Sequence, residues 1–165
     1  MHRLIPALAS HGTTLLLGFA LGIYLLPILT APDSPATTSL VQVQNTALYT
    51  ATLRRDLRGS DPLHWGEGTL YVKDDTIALM GKLAPGPDYR LYLSPRFVDD
   101  RAGFLRHKAD MVQIGHIRTF NDFLVDVPQG IDVSAFNTVI VWCESFGQFI
   151  TAAQYQGLPQ LAPGH

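Results

Sequence analysis

The chain has 165 residues, a net charge of −2 at neutral pH, 16% charged side chains and one cysteine. All 14 acidic residues lie beyond residue 30. This charge balance excludes an electrostatic nucleic-acid-binding protein, because such proteins need clustered lysine and arginine to displace phosphate counterions. A single cysteine also excludes an internal disulfide framework, a cysteine-rich zinc site and covalent c-type haem attachment.

Residues 1–31 are predicted to form an N-terminal membrane anchor. No charged residue occurs between Thr13 and Ala31, and a helix over this stretch would be about 28 Å long, close to the hydrocarbon thickness of a bilayer. Arg3 precedes the apolar stretch and Asp33 follows it. By the positive-inside tendency, we expect a single-pass protein of the cell membrane. Its N-terminus would be cytoplasmic, and the rest of the chain would be periplasmic or at the cell surface.

A cleaved signal peptide is the alternative for the same segment. Secretory cleavage requires small residues at two spaced positions. A site after Ala31 is a poor one because Pro32 follows it, whereas Ser34-Pro35-Ala36 fits the small-x-small pattern better. We favour the retained anchor, and either alternative exports the remaining residues.

The exported part divides by composition into a linker, one folded domain and a tail. Residues 32–46 are rich in proline, serine, threonine and glutamine, which is typical of a flexible tether. Residues 157–165 contain several prolines and glycines and are predicted to be a loose tail. The intervening segment, residues 47–156, is long enough for one hydrophobic core.

The segment 47–156 is predicted to be all-β. Short alternating or apolar runs are separated by turn signals, such as Asp74-Asp75 between the second and third runs. The candidate strands are 47–53, 65–73, 76–83, 89–94, 110–117, 123–127, 138–143 and 146–152. Residues 95–109 are predicted to be an irregular connection. About eight closely spaced strands indicate an antiparallel β-sandwich or barrel behind one N-terminal transmembrane helix.

The motif search favours no particular enzymatic activity. Gly66-Glu67-Gly68 lacks the third glycine and the following helix of a nucleotide-binding loop, and Ser145 lacks the preceding glycine of a nucleophile elbow. No two histidines have a ligand-like spacing, so no metal site is predicted. The sequence requires no cofactor, although a haem or metal held by ligands far apart in sequence, such as Met80 or Met111, stays an open alternative.

Cys143 is the most informative single residue of the sequence. It ends the most hydrophobic candidate strand, 138–143, both faces of which are apolar, so this strand is expected in the middle of the sandwich. The two-residue period places Cys143 on one face with Val139 and Val141, and Trp142 on the other. A lone thiol in an exported protein is either a buried core residue or a group kept for its reactivity.

Several motifs resemble those of the DM-thirteen family, a domain often found beside DOMON domains and also present in bacterial membrane-anchored proteins. The most specific pair is Pro87-Asp88 with Tyr92-Leu93, followed about fifty residues later by Val141-Trp142-Cys143. The matching segments are 66–69, 87–93, 114–117, 127–128 and 138–146. The resemblance extends over almost the whole exported part of the chain.

The resemblance implies an extracytoplasmic β-sandwich domain with a redox or electron-transfer role centred on Cys143. Trp142, His116 and Tyr92 are the candidates for the surroundings of the thiol and for binding a cofactor. The partner would be an envelope protein or a small molecule that the sequence does not identify. The chain carries no DOMON or cytochrome segment that would act as a built-in electron partner.

A non-enzymatic binding or scaffold module of the cell envelope is the alternative function. In that hypothesis Cys143 is only core packing. The binding surface would be formed by loop 95–109 and by a set of aromatic residues, namely Tyr89, Tyr92, Phe120 and Phe123.

Overall fold

The computed structural model describes residues 4–157, apart from the side chain of Leu4, and comprises two N-terminal helices followed by a β domain. The helices are α1 (Leu4–Thr30), α2 (Thr37–Thr46) and α3 (Arg101–His107). The strands are β1 (Tyr49–Leu53), β2 (Gly66–Val72), β3 (Thr76–Leu83), β4 (Tyr89–Ser94), β5 (Val112–Ile117), β6 (Phe123–Asp126), β7 (Thr138–Cys143) and β8 (Gln148–Gln154). Two short 3-10 turns, Lys108–Asp110 and Val133–Ala135, lie between strands.

The eight strands form two four-stranded antiparallel sheets, in the orders β1-β2-β3-β6 and β5-β4-β7-β8. Because successive side chains of a strand alternate between the two faces of its sheet, every second residue of each strand points to the space between the sheets. The main hydrophobic core fills that space, where Val139 and Val141 lie in one cluster with Leu70 and Leu79 of the facing sheet. This arrangement confirms the predicted antiparallel sandwich, and each predicted strand bound is correct to within two residues.

Helix α1 is apolar on all sides and almost entirely exposed. Its residues from Ile5 to Thr30 are long and apolar enough to cross a membrane, and none of the most apolar window is buried against the domain. A core helix of a soluble protein would be covered by its neighbours. The helix therefore has the length and surface of a membrane-spanning segment.

The connection between α1 and the domain is shorter than the predicted linker 32–46. Ten of those residues form α2, which buries Leu40 and Val43 against Ala78 of β3. Only residues 31–36 separate the two helices. The sequence pattern does not reveal α2, because three apolar residues in a run of ten polar and apolar residues, only two of them buried, are too few to produce a helical period.

The predicted irregular connection 95–109 also contains a helix. The side chain of Asp100 caps α3 by accepting a hydrogen bond from the Gly103 N–H (2.6 Å), and Arg106 lies in the last turn, where a cation complements the helix dipole. Phe104 is the buried residue of α3. A helix of two turns with one buried apolar residue is too short to produce a recognisable helical period in the sequence.

Two sequence predictions concern residues outside the described range. Arg3, on which the expected membrane orientation depends, precedes residue 4, and most of the predicted tail 157–165 follows residue 157.

Candidate functional site

Strand β7 places Cys143 and Trp142 on opposite faces of one sheet, as the two-residue period predicts. Cys143 belongs to the core between the two sheets, whereas Trp142 packs in a second cluster on the outer face. In the antiparallel register, Cys143 lies opposite Tyr89 of β4 and opposite Gln148 of β8. The thiol therefore lies at one end of the sandwich, where the pairing of β7 with β4 and with β8 ends.

The Cys143 side chain is 2% exposed and lines a cavity of about 140 Å³ at this end of the sandwich. Most of the cavity wall is apolar. The domain contributes Tyr89, Phe146, Gln148 and Ile150 among others, and α1 contributes Ile23 and Tyr24. Helix α1 therefore forms part of the wall of the cavity that holds the thiol.

Burial and backbone amides act on the Cys143 thiol in opposite directions. Burial raises its pKa, because a thiolate is disfavoured in an apolar surrounding. The backbone N–H groups of Phe146, Asp88 and Ser145 lie near the sulfur and favour the thiolate, but they only partly offset the effect of burial. The net pKa is above the ordinary thiol value, so Cys143 is protonated at neutral pH.

The turn between β7 and β8 brings these amides to the sulfur. The Glu144 N–H donates to the Asp88 carbonyl (3.0 Å), which fixes the turn against the segment before β4. Gly147 has a φ of +57°, a left-handed conformation that glycine adopts without steric cost, and its N–H donates to the Glu144 carbonyl (3.3 Å). The tight return positions Ser145 and Phe146 directly over the end of the strand.

Aromatic side chains occupy the opposite face of the same sheet. The Phe104 ring of α3 stacks on Trp142 with a centroid separation of 3.9 Å. Tyr92 meets Phe104 edge to face at 5.1 Å. Helix α3 therefore covers the outer face of β4 and β7, which explains why a strand with two apolar faces is buried along its whole length.

A charged group borders this aromatic cluster. Glu144 accepts hydrogen bonds from the Tyr92 hydroxyl and from Lys108 Nζ (2.9 Å). Burial alone would raise the pKa of Glu144, but these two donors together hold it below the ordinary value. Burial, followed by the bond to Glu144, raises the pKa of Tyr92. Lys108 Nζ also lies 5.6 Å from the centroid of the Phe104 ring, within cation–π range.

The structure does not bring the three predicted neighbours to the Cys143 cavity. Tyr92 and Trp142 lie together on the outer face, and the His116 ring contacts Arg90 at the exposed side of β5. Arg90 is also paired with Asp88, with Nη2 and Oδ1 2.8 Å apart. The residues that do line the cavity come from the ends of β4, β7 and β8, from the loops around them and from α1. They could have been found only from the strand register, which the sequence does not specify.

The aromatic residues proposed for the alternative binding surface do not form one. Tyr89 and Phe123 are buried in the core between the sheets, and the Tyr89 hydroxyl donates to the Ala84 carbonyl (2.8 Å). Phe120 is half-buried and packs edge to face against Tyr89. These rings stabilise the sandwich instead of presenting a surface to a partner.

No group of three or more histidine, cysteine, aspartate or glutamate side chains within residues 4–157 is arranged to hold a metal ion. Comparisons with curated proteins and with solved structures gave no match. The profile of the electron transfer DM13 family matches residues 56–155, which is well over half of the chain and includes β2 to β8 and Cys143. The chain therefore belongs to the electron transfer DM13 family, the DM-thirteen family whose motifs its sequence carries.

Proposed function

We propose that this protein is a membrane-anchored extracytoplasmic redox domain in which Cys143 is the reacting group. The observation that carries the proposal is that the single cysteine of the chain lines a cavity, with three backbone N–H groups near its sulfur. The description of the family as an electron transfer domain and the membrane-spanning dimensions of α1 support it. In this proposal α1 is retained, its N-terminus is cytoplasmic, and the partner is a dithiol or disulfide of the cell envelope.

The chemistry is a thiol–disulfide exchange that starts when the Cys143 thiol releases its proton to a base from solvent or from the partner. The sulfur then attacks one sulfur of the partner disulfide, so that a new S–S bond forms to Cys143 and the partner S–S bond breaks. The second partner sulfur leaves as a thiolate. A lone cysteine holds this mixed disulfide until another partner thiol attacks it, which regenerates Cys143 and a partner disulfide.

The backbone N–H groups of Phe146, Asp88 and Ser145 would stabilise the sulfur anion as the proton leaves. The raised pKa keeps the resting thiol protonated, so exchange with a disulfide that enters the cavity is slow at neutral pH and becomes faster as pH rises.

The test is disulfide exchange with the folded full-length chain in detergent micelles. Glutathione disulfide should add one glutathionyl group to the native protein, faster as pH rises, and dithiothreitol should remove it. Cys143→Ala is the matched control and should gain no mass. Adduct formation seen only after unfolding in guanidinium would overturn the redox proposal.

A non-enzymatic scaffold module is the second candidate, and the deep burial of Cys143 with its raised pKa is the observation that favours it. In that case the thiol is a small core side chain. The same experiment separates the two functions. The scaffold function requires that the native chain gain no adduct and that Cys143→Ala alter only the free energy of unfolding.

A further inference from the structure

The end of the sandwich that holds Cys143 carries two exposed apolar side chains, Leu63 and Phe146, which we call the apolar tips. Leu63 is 62% exposed and Phe146 is 57% exposed. Phe146 projects from the β7–β8 turn, and Leu63 from the loop before β2. Pro85 and Pro87 line the same cavity as these two residues. Apolar side chains at the tips of neighbouring loops are typical of a contact surface.

The acidic residues nearest to the apolar tips are held by local bonds. The Asp61 carboxylate accepts hydrogen bonds from the N–H groups of Leu63 (2.7 Å) and His64 (2.9 Å). Asp88 is paired with Arg90. Asp61 keeps its negative charge, whereas Arg90 offsets the charge of Asp88. This end of the domain therefore suits the hydrated interfacial layer of a bilayer and not its hydrocarbon core.

The apolar tips are continuous with the surface of α1. Leu63 and Phe146 line the Cys143 cavity together with Ile23 and Tyr24. Phe146 also faces Gly22 across a cleft between the helix and the domain. The residues of α1 that meet the domain therefore lie in its C-terminal half, next to the exposed phenyl ring.

The length of α1 sets the depth of these contacts in a bilayer. A helix of 27 residues is about 40 Å long, whereas the hydrocarbon core is about 30 Å thick and takes roughly 20 residues. Taken from Ile5, where the membrane-spanning candidate begins, roughly 20 residues end near Tyr24, a residue type enriched at membrane interfaces, and the rest of α1 then lies in the headgroup layer. The cleft beside Phe146 is lined by α1 residues from Gly18 to Pro27, so it extends on both sides of this level.

Cations are placed where the headgroups would lie. Arg118 lines a polar cleft with Thr30 and Pro32, and Lys82 lines a neighbouring cleft with Pro32. Both side chains are exposed. Phosphate groups of lipids attract lysine and arginine at this level of the membrane.

We propose that this end of the domain docks on the outer surface of the bilayer, with the apolar tips in the interfacial layer and Arg118 and Lys82 at the lipid phosphates. The proposal rests on the membrane anchor of the proposed function. Residues 31–36 can span only about 20 Å, which keeps the domain at the membrane.

The experiment uses the full-length chain in vesicles of phosphatidylcholine and phosphatidylglycerol, with or without lipids that carry a fluorescence quencher in the acyl chain, either near the headgroup or near the bilayer centre. Single-cysteine variants in the Cys143→Ala background carry an environment-sensitive fluorophore. Phe146→Cys reports on the apolar tip. Phe97→Cys is the matched control, because Phe97 is 44% exposed and follows the opposite end of β4. Leu16→Cys reports on α1 itself.

We expect the label at 146 to emit at shorter wavelength in vesicles and to lose most of its emission to the quencher, while the label at 97 keeps its emission. Equal behaviour of the labels at 146 and 97, with quenching at 16, would overturn the docking and leave the anchor intact. Absence of quenching at 16 would overturn the anchor and the docking with it.

Discussion

Cys143 and Trp142 are adjacent on β7, yet their side chains lie in two different chemical environments. The thiol faces an apolar cavity between the sheets, where burial raises its pKa. The indole faces an aromatic cluster on the outer side of the sheet, next to the ionised Glu144 and to Lys108.

The difference shows that two adjacent residues of a β-strand can face different charged groups, because their side chains lie on opposite faces of the sheet. Lys108 would lower the pKa of a thiol that it could approach, but the backbone of β7 and the ring of Trp142 lie between them. The charge of Lys108 instead helps to keep Glu144 ionised, and the Lys108 ammonium group lies over the aromatic cluster. The pKa of the Cys143 thiol is therefore set by burial and by backbone amides, not by a nearby cation.

Removing the indole of Trp142 should have the largest effect on the free energy of unfolding. Trp142→Ala should lower the free energy of unfolding by about 3–5 kcal/mol, because it leaves a cavity under Phe104 and exposes the outer face of β4. Urea unfolding of the full-length chain in detergent measures this loss. The exposed residue Phe97 is the control, and Phe97→Ala should change the unfolding free energy by less than about 0.5 kcal/mol. Similar small losses for both variants would contradict the assignment of Trp142 to a packed cluster.

A smaller effect is expected when the hydrogen bond between Tyr92 and Glu144 is removed. Tyr92→Phe should cost about 1.5 kcal/mol, because it deletes a donor to a partly buried carboxylate. The matched control is the same change in a Glu144→Gln background, where the coupling energy of a double-mutant cycle gives the strength of the bond. A coupling energy near zero would show that the two groups do not interact in solution.

The Glu144 interaction should also depend on pH in a defined direction. Because the folded-state pKa of Glu144 lies below its ordinary value of 4.5, the carboxylate stabilises the fold above that pH. This contribution is lost as pH falls through the folded-state pKa. The difference in unfolding free energy between the wild type and Glu144→Gln should therefore shrink in acid.

An effect of comparable size is expected at the thiol, with the opposite pH dependence. Cys143→Ala should cost about 1–2 kcal/mol at neutral pH, because it removes one buried sulfur. The folded-state pKa of the thiol lies above its ordinary value of 9.0, so its contribution is complete below that pH and is lost as pH rises through the folded-state pKa. The stability gap between wild type and Cys143→Ala should narrow in alkali. A gap that widens there would mean that the folded protein stabilises the thiolate.

Much of the fold could be predicted from local patterns. Alternation of apolar residues and the turn signals between them located all eight strands, and the unbroken apolar run at residues 138–143 indicated a strand covered on both faces. The two-residue period correctly separated Cys143 from Trp142. The motifs around these residues identified the family.

The surroundings of the thiol could not be predicted in the same way, because they are non-local. Tyr24, Leu63 and Tyr89 line the Cys143 cavity from distant parts of the sequence, and their positions depend on strand register and on how α1 lies against the domain. Tyr92 and His116 belong to segments of the family motif, but strand alternation turns Tyr92 outward and His116 lies on the exposed side of β5. A sequence motif therefore identifies the family of the chain, but it does not show towards which face of the sheet a side chain points.

The sequence by itself determined the apolar N-terminal helix, the all-β domain, the family and the single thiol, because each of these depends on residues that are consecutive or two apart. Only the tertiary structure decided that α2 and α3 form, that Lys108 pairs with Glu144 on the far side of the sheet from Cys143, and that the thiol lies in a cavity whose wall includes α1. These features depend on contacts between residues that are distant in sequence, and their stability comes from burial that only the folded chain provides.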